Sequence, residues 1–88
     1  MATRFAASAS RHRISHARAT WVVEHCPCPL YSSDPENEDQ LVFLWPDNHG
    51  VPLEVLAIEL ADGDLLVIHA MRMRSQYQDD YARVMECL

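Results

Sequence analysis

Residues 51–70, VPLEVLAIELADGDLLVIHA, contain two apolar runs separated by the turn sequence ADGD. An Asp-Gly pair between two such runs is typical of a tight antiparallel hairpin. A third run, LVFLW at 41–45, stops at Pro46 and is followed by the turn sequence DNHG at 47–50. The sequence therefore predicts a three-stranded antiparallel meander, with strands at about 41–46, 52–60 and 64–70.

Helices are predicted before and after this meander. Ser15 suits the N-cap of a helix at about 15–25, which Pro27 and Pro29 would end. Its apolar residues Ile14, Ala17 and Trp21 fall at i, i+3 and i+7, with Val22 beside them. A C-terminal helix at about 74–86 carries one apolar stripe: Met73, Tyr77, Tyr81, Val84 and Leu88.

The length of 88 residues predicts one α+β domain. Residues 1–10, rich in Ala and Ser, are interpreted as a flexible tail or a short first helix, and residues 11–88 as the domain. The second and third predicted strands are apolar on both faces, so both faces of the sheet need cover. The C-terminal helix would cover one face, and the first helix, a second copy or a partner chain would cover the other.

Charge and cysteines limit the function. The net charge is −6, residues 1–18 carry four arginines without an acid, and residues 24–64 carry ten acids without Lys or Arg. No signal peptide and no run of about 20 apolar residues is recognised, which predicts a cytoplasmic protein that does not cross a membrane. The three cysteines are then expected to be reduced thiols.

Cofactor and metal sites are not expected. The chain contains only two glycines, so a phosphate-cradling loop is nearly excluded. The sequence His25-Cys26-Pro27-Cys28 has Cys-x-Cys spacing and no second pair, which is not the pattern of a structural zinc site. The prediction is no cofactor and no metal.

Three segments carry a resemblance to a known family: RHRIS at 11–15, VPLEVLAIE at 51–59 and DGDLLVIHAMRMRSQY at 62–77. Together they resemble the BrnT-like toxins of the RelE superfamily and their uncharacterised bacterial relatives, over about residues 11–83. The resemblance implies a RelE-like sheet backed by helices. It also implies a toxin of a type II toxin-antitoxin pair, which cleaves mRNA as a metal-independent endoribonuclease and binds a cognate antitoxin.

The positions that match the family's site are His69, Arg72, Arg74 and Tyr77. His69 could act as base or acid, the two arginines could hold the scissile phosphate, and Tyr77 could stack on a base or donate a proton. Each has a structural alternative. A strand-end histidine is commonly a hydrogen-bonded structural residue, the arginines could be solvated or bind the antitoxin, and Tyr77 lies on the apolar stripe.

Two functions therefore stay open at this stage. The resemblance indicates an endoribonuclease, whereas the acidic net charge favours a catalytically inactive toxin-fold protein that acts as a protein-binding, regulatory module. Expected partners are the antitoxin and RNA, with a homodimer when no partner is present.

Overall fold

A computed structural model describes residues 2–31 and 40–87. Within them, one sheet has five strands: β1 Thr3–Phe5, β2 Leu30–Tyr31, β3 Gln40–Pro46, β4 Pro52–Glu59 and β5 Leu65–Arg72. The helices are α1 His16–His25 and α2 Gln78–Glu86, and the residues Ala7–Ser10 and Ser75–Tyr77 form 3-10 turns. The strand order is β1-β5-β4-β3-β2.

The predicted three-stranded antiparallel meander was wrong as a fold class, because the sheet is five-stranded and mixed. The runs that predicted its strands form β3, β4 and β5 at the centre. β2 adds an antiparallel edge to β3, and β1 pairs in parallel with β5. Both added strands are short, with at most three residues each. Backbone hydrogen bonds to a longer neighbouring strand hold them in place. A segment this short is too short to show the alternation of apolar and polar residues that predicts a strand.

The segment 1–10 holds β1 and a 3-10 turn in its described part, in place of the expected flexible tail or first helix. Ala6 donates its N–H to the carbonyl of Val67, and the Ser8 hydroxyl donates to the carbonyl of Ile68. Ala9 is buried. The Ala and Ser residues of this segment are small and allow it to lie close to β5. Their abundance therefore reflects packing against the sheet, although the same composition is typical of a flexible tail.

Paired residues point to the same face of a sheet, so the register separates two faces. On the first face the central residues are all buried: Leu41, Phe43, Leu53, Val55, Ala57, Val67 and Ala70. On the second face Val42, Leu44 and Glu54 are buried, whereas Leu56, Ile58, Leu66, His69 and Met71 are half-buried. The second face is therefore the less completely covered one.

α1 begins on the first face. Phe5 shares that face with Val67, and its ring stacks on the His16 ring at the start of α1 with centroids 3.9 Å apart. The buried residues of α1 are Ala19 and Val22 rather than the predicted Ala17 and Trp21. Trp21 lies on the outside, where it stacks on His25, so the predicted stripe was wrong for Ala17 and Trp21, whereas Ile14 and Val22 are buried as expected.

The chain that leads into α2 lies on the second face, because Arg74 contacts the Glu54 side chain there. α2 contacts β3 and contributes the buried Val84. Met73, Tyr77 and Tyr81 of the predicted stripe pack against the core, and Leu88 lies outside the described residues. The two faces are thus approached by different helices.

Cys28 and Cys87 form a disulfide across Cα atoms 6.4 Å apart, whereas Cys26 is a buried free thiol. The expectation of three reduced thiols is corrected here. Cys28 follows α1 and Cys87 ends α2, and a sequence separation of 59 gives no sign that the fold brings them together. The bond ties the end of α2 to the chain between α1 and β2.

Neither α1 nor α2, nor any other helix in residues 2–31 and 40–87, is long and apolar enough to cross a membrane.

Candidate functional site

Glu54 is a fully buried acid at the centre of β4. It sits on the second face, and both of its carboxylate oxygens accept two hydrogen bonds. Oε1 accepts from the backbone N–H and Nε of Arg74, at 2.9 and 3.0 Å. Oε2 accepts from Nη2 of Arg74 at 2.7 Å and lies 3.1 Å from Nε2 of His69. All four acceptor positions of the carboxylate are therefore used.

These contacts keep Glu54 ionised. Burial alone would raise the pKa of its carboxyl group, but the side-chain and backbone hydrogen bonds and the positive charge of Arg74, with a further bond from His69, lower that pKa overall. Arg74 pairs with the carboxylate through two parallel N–H···O contacts, which is the strongest common geometry for this ion pair. The buried charge is thus matched by a fixed cation.

His69 projects into the same cluster because of a β-bulge. β5 pairs Val67 with Ala57 and His69 with Leu56, so Ile68 is the extra residue at the register shift. Without it, His69 would share the first, buried face with Val67, since residues two apart in a strand point the same way. The bulge places His69 beside Glu54 on the second face.

The electrostatics of His69 favour its neutral form. Burial lowers the pKa of the imidazole, and the contact with Glu54 raises it only in part, while the charges of Arg74 and His12 lower it further. With Nε2 3.1 Å from a carboxylate oxygen, the neutral ring carries its proton on Nε2 and donates it to Glu54. Nδ1 is then left with the free lone pair.

A second histidine lies against the first. The ring centroids of His12 and His69 are 5.2 Å apart in an edge-to-face arrangement. His12 is exposed and follows the 3-10 turn that Ser8 anchors to the carbonyl of Ile68. The bonds that hold β1 beside β5 thus bring a histidine from the N-terminal segment to the site.

The four predicted site residues divide into two groups. His69 and Arg74 meet on Glu54, and the atoms Nε2 and Nη2 lie less than about 6 Å apart because they contact the same oxygen at 3.1 and 2.7 Å. The guanidinium of Arg74 lies 6.0 Å from the ring centroid of Tyr77. Arg72 pairs with Leu53 and therefore belongs to the first face.

The structure leaves Arg72 and Arg74 more exposed than Met73. It does not place the two arginines together, because Arg72 points away from the Glu54 cluster. A phosphate held by both arginines, as the sequence suggested, is not what this geometry offers.

Sequence reasoning missed Glu54 and His12. Glu54 carried a usable signal, since it is an acid in the middle of the apolar run VPLEVLAI at 51–58, where an unpaired charge would be costly. His12 carried none, because only the parallel pairing of β1 with β5 brings it near His69.

A second buried carboxylate, Asp47, has a structural role at the β3–β4 turn. Its Oδ1 accepts the N–H groups of His49 and Val51, and its Oδ2 contacts Nε of Arg18 at 2.6 Å. Burial would raise the pKa of Asp47, and these bonds together lower it. The pair fixes α1 against the turn.

No group of three or more His, Cys, Asp or Glu side chains in residues 2–31 and 40–87 is arranged to hold a metal ion. Comparison with protein-family models, with curated proteins and with solved structures finds no match to this chain. The Glu54–His69–Arg74 cluster and its neighbour His12 are therefore the features of this chain that bear on its function.

Proposed function

We propose that this protein is a metal-independent endoribonuclease that acts on mRNA in the cytoplasm, as the toxin of a type II toxin-antitoxin pair. The observation that carries the proposal is the single carboxylate of Glu54, which binds His69 and Arg74 at once. A base and a cation are thereby fixed within one phosphate-sized region. The toxin assignment rests on the resemblance of residues 11–83 to the BrnT-like family.

RNA is the substrate class that this cluster suits. Its 2′-hydroxyl is an internal nucleophile, so strand cleavage requires a base for that hydroxyl, a cation for the phosphate and an acid for the leaving oxygen. His69 meets the requirement for the base, because its pKa is lowered and its Nδ1 carries the free lone pair. Glu54 orients the ring, as a carboxylate does for a catalytic histidine in other enzymes.

Arg74 supplies the cation. Two of its nitrogens, Nε and Nη2, donate to Glu54, and the guanidinium has further N–H groups beside Tyr77 that can donate to a phosphate. Its side chain is 46% exposed, so an anion can reach it. Tyr77, beside the guanidinium, is placed to stack on an adjacent base.

The test is cleavage of a defined single-stranded RNA by the purified chain in the presence of a chelator. We expect products with 2′,3′-cyclic phosphate and 5′-hydroxyl ends. His69→Gln should reduce the cleavage rate about 100-fold or more, the usual contribution of a positioned base. His49→Gln, at an exposed turn, is the matched control and should retain the full rate. Equal rates for the wild type and His69→Gln would rule out the proposed base.

A second candidate is a catalytically inactive toxin-fold protein that works by protein association. The observation in its favour is the half-buried apolar group Leu56, Ile58 and Leu66 on the second face, together with the net charge of −6. We propose that in the absence of an antitoxin this surface pairs with a second copy. Light scattering at micromolar concentration should then give about twice the chain mass of 10.1 kDa, and Leu56→Glu should return the monomer. A monomeric wild-type protein would contradict this pairing.

A further inference from the structure

We propose that His12 is a second catalytic residue of this site, the general acid that protonates the leaving 5′ oxygen while His69 takes the proton of the 2′-hydroxyl. This inference rests on the proposed ribonuclease activity and specifies its chemistry. It is carried by the juxtaposition of two imidazoles from distant parts of the chain, with ring centroids 5.2 Å apart.

The fold holds His12 at this place. β1 runs parallel to β5 in the register Phe5 to Val67, and the next residue, Ala6, bonds the carbonyl of Val67. The Ser8 hydroxyl then bonds the carbonyl of Ile68, the extra residue of the bulge. The N-terminal segment is thus tied to the bulge that presents His69, so both histidines depend on one local structure.

The turn after His12 is conformationally unusual. Arg13 has φ 59°, in the left-handed region that residues other than glycine seldom adopt, and its N–H bonds the carbonyl of Ser10. Such conformations persist where the surrounding structure imposes them, and they concentrate at functional sites. Here the turn leaves Arg11, His12 and Arg13 all exposed.

The two histidines have different surroundings, which assigns their roles. Glu54 and Arg74 face His69, and Glu54 holds its Nε2 proton, so Nδ1 can only accept. No carboxylate in the described residues bonds His12, which is open to solvent and can regain a proton from it after each turnover. The fixed, carboxylate-bound ring is therefore the base, and the exposed ring is the acid.

The chemical step balances with these two groups. Nδ1 of His69 accepts the 2′-hydroxyl proton as O2′ forms a bond to phosphorus. The P–O5′ bond breaks, and O5′ receives the proton of the His12 imidazolium. The products are a 2′,3′-cyclic phosphate, a 5′-hydroxyl, a protonated His69 and a neutral His12, and exchange with water restores both rings. Arg74 neutralises the non-bridging oxygens during the step.

The test compares two substrates that differ only in the need for an acid. One is a dinucleotide such as UpA, whose ribose 5′-alkoxide must be protonated as it leaves. The other is uridine 3′-(4-nitrophenyl phosphate), whose nitrophenolate leaves without a proton at neutral pH. His12→Gln, His69→Gln and the control His49→Gln are assayed on both, with circular dichroism to confirm the fold of each variant.

We expect His12→Gln to lose about 100-fold in kcat/KM on UpA and less than about 5-fold on the nitrophenyl substrate. His69→Gln should lose about 100-fold on both, because both need the base. Equal losses on the two substrates, or no loss on UpA, would overturn the role of His12 while leaving the ribonuclease activity intact. A wild-type protein inactive on both would overturn the proposed function and this inference with it.

Discussion

The substitution Glu54→Gln tests whether one carboxylate holds the site together. Gln has the shape of Glu, but its amide places an NH₂ group where the second carboxylate oxygen was. That group would face Nη2 of Arg74 and Nε2 of His69, both of which are donors to the carboxylate. His69 can escape by moving its proton to Nδ1, whereas Arg74 is always protonated and cannot.

The expected loss of stability follows from those contacts. A hydrogen bond to a charged group contributes about 1.5–3 kcal/mol, and breaking a buried ion pair costs about 3–5 kcal/mol. Arg74 is 46% exposed, so water can replace part of what it loses. We therefore expect Glu54→Gln to lower the free energy of unfolding by about 2–3 kcal/mol, against a total of about 4–13 kcal/mol for a chain of this length.

The assay is urea unfolding at pH 7, supported by thermal melting. A loss of 2–3 kcal/mol corresponds to a fall in Tm of about 10–20 °C for a domain of this size. Glu59→Gln is the matched control, because Glu59 is an exposed acid on the same strand, and its effect should stay within about 0.5 kcal/mol. The variant Glu54→Gln should also lose RNA cleavage while still folded, since the proton moved to Nδ1 removes the base. Unfolding free energies of the two variants within about 0.5 kcal/mol of each other would refute this account of Glu54.

Two further predictions concern the disulfide and acid. Opening the Cys28–Cys87 bond with Cys87→Ser should lower the free energy of unfolding by about 3–4 kcal/mol, because the bond closes a loop with a sequence separation of 59, whereas Cys26→Ser should not show this loss. When the purified protein is unfolded without a reductant and then alkylated, one thiol per chain should be labelled. If three thiols are labelled in protein taken from cytoplasmic extracts, the reducing compartment has opened the disulfide. Stability should fall in two stages as the pH is lowered: below about pH 6.5 for His69, and below about pH 4 for Glu54 together with Asp47 and Asp64. Folding lowers the pKa of each of these groups, so the unfolded chain takes up protons first. Urea midpoints measured from pH 3 to 8 should show that His69→Gln removes only the upper stage, and an unchanged upper stage would contradict the placement of His69.

The sequence located the centre of the sheet and missed its edges for one physical reason. The long runs that became β3, β4 and β5 bury apolar side chains, so their own composition predicts them. β1 and β2 are short and exist because a neighbouring strand offers unpaired backbone groups. Backbone pairing leaves no mark in side-chain periodicity, so these strands could not be found without the fold.

The same reason explains the site. His69 was predicted from the resemblance to the BrnT-like toxins, but its chemistry depends on which face of the sheet it occupies, and that depends on one bulge residue, Ile68. A regular β5 would bury His69 with Val67 on the first face, away from Glu54. The sequence does not indicate this bulge, because its extra residue, Ile68, is equally common in a regular strand.

The bulge also completes the set of donors around the buried Glu54, to which Arg74 contributes three hydrogen bonds and His69 the fourth. A buried carboxylate at the centre of an apolar strand requires several hydrogen-bond donors on the same face of the sheet. If β4 and β5 paired without a bulge, only residues that follow β5, such as Arg74, would supply these donors. With the bulge, His69 and Arg74 reach Glu54 from two directions, and the Ser8 hydroxyl binds the displaced carbonyl of Ile68 and brings His12 alongside. A single irregularity in one strand therefore places His69 beside Glu54 and, through the Ile68 carbonyl, helps to hold the segment that carries the second histidine.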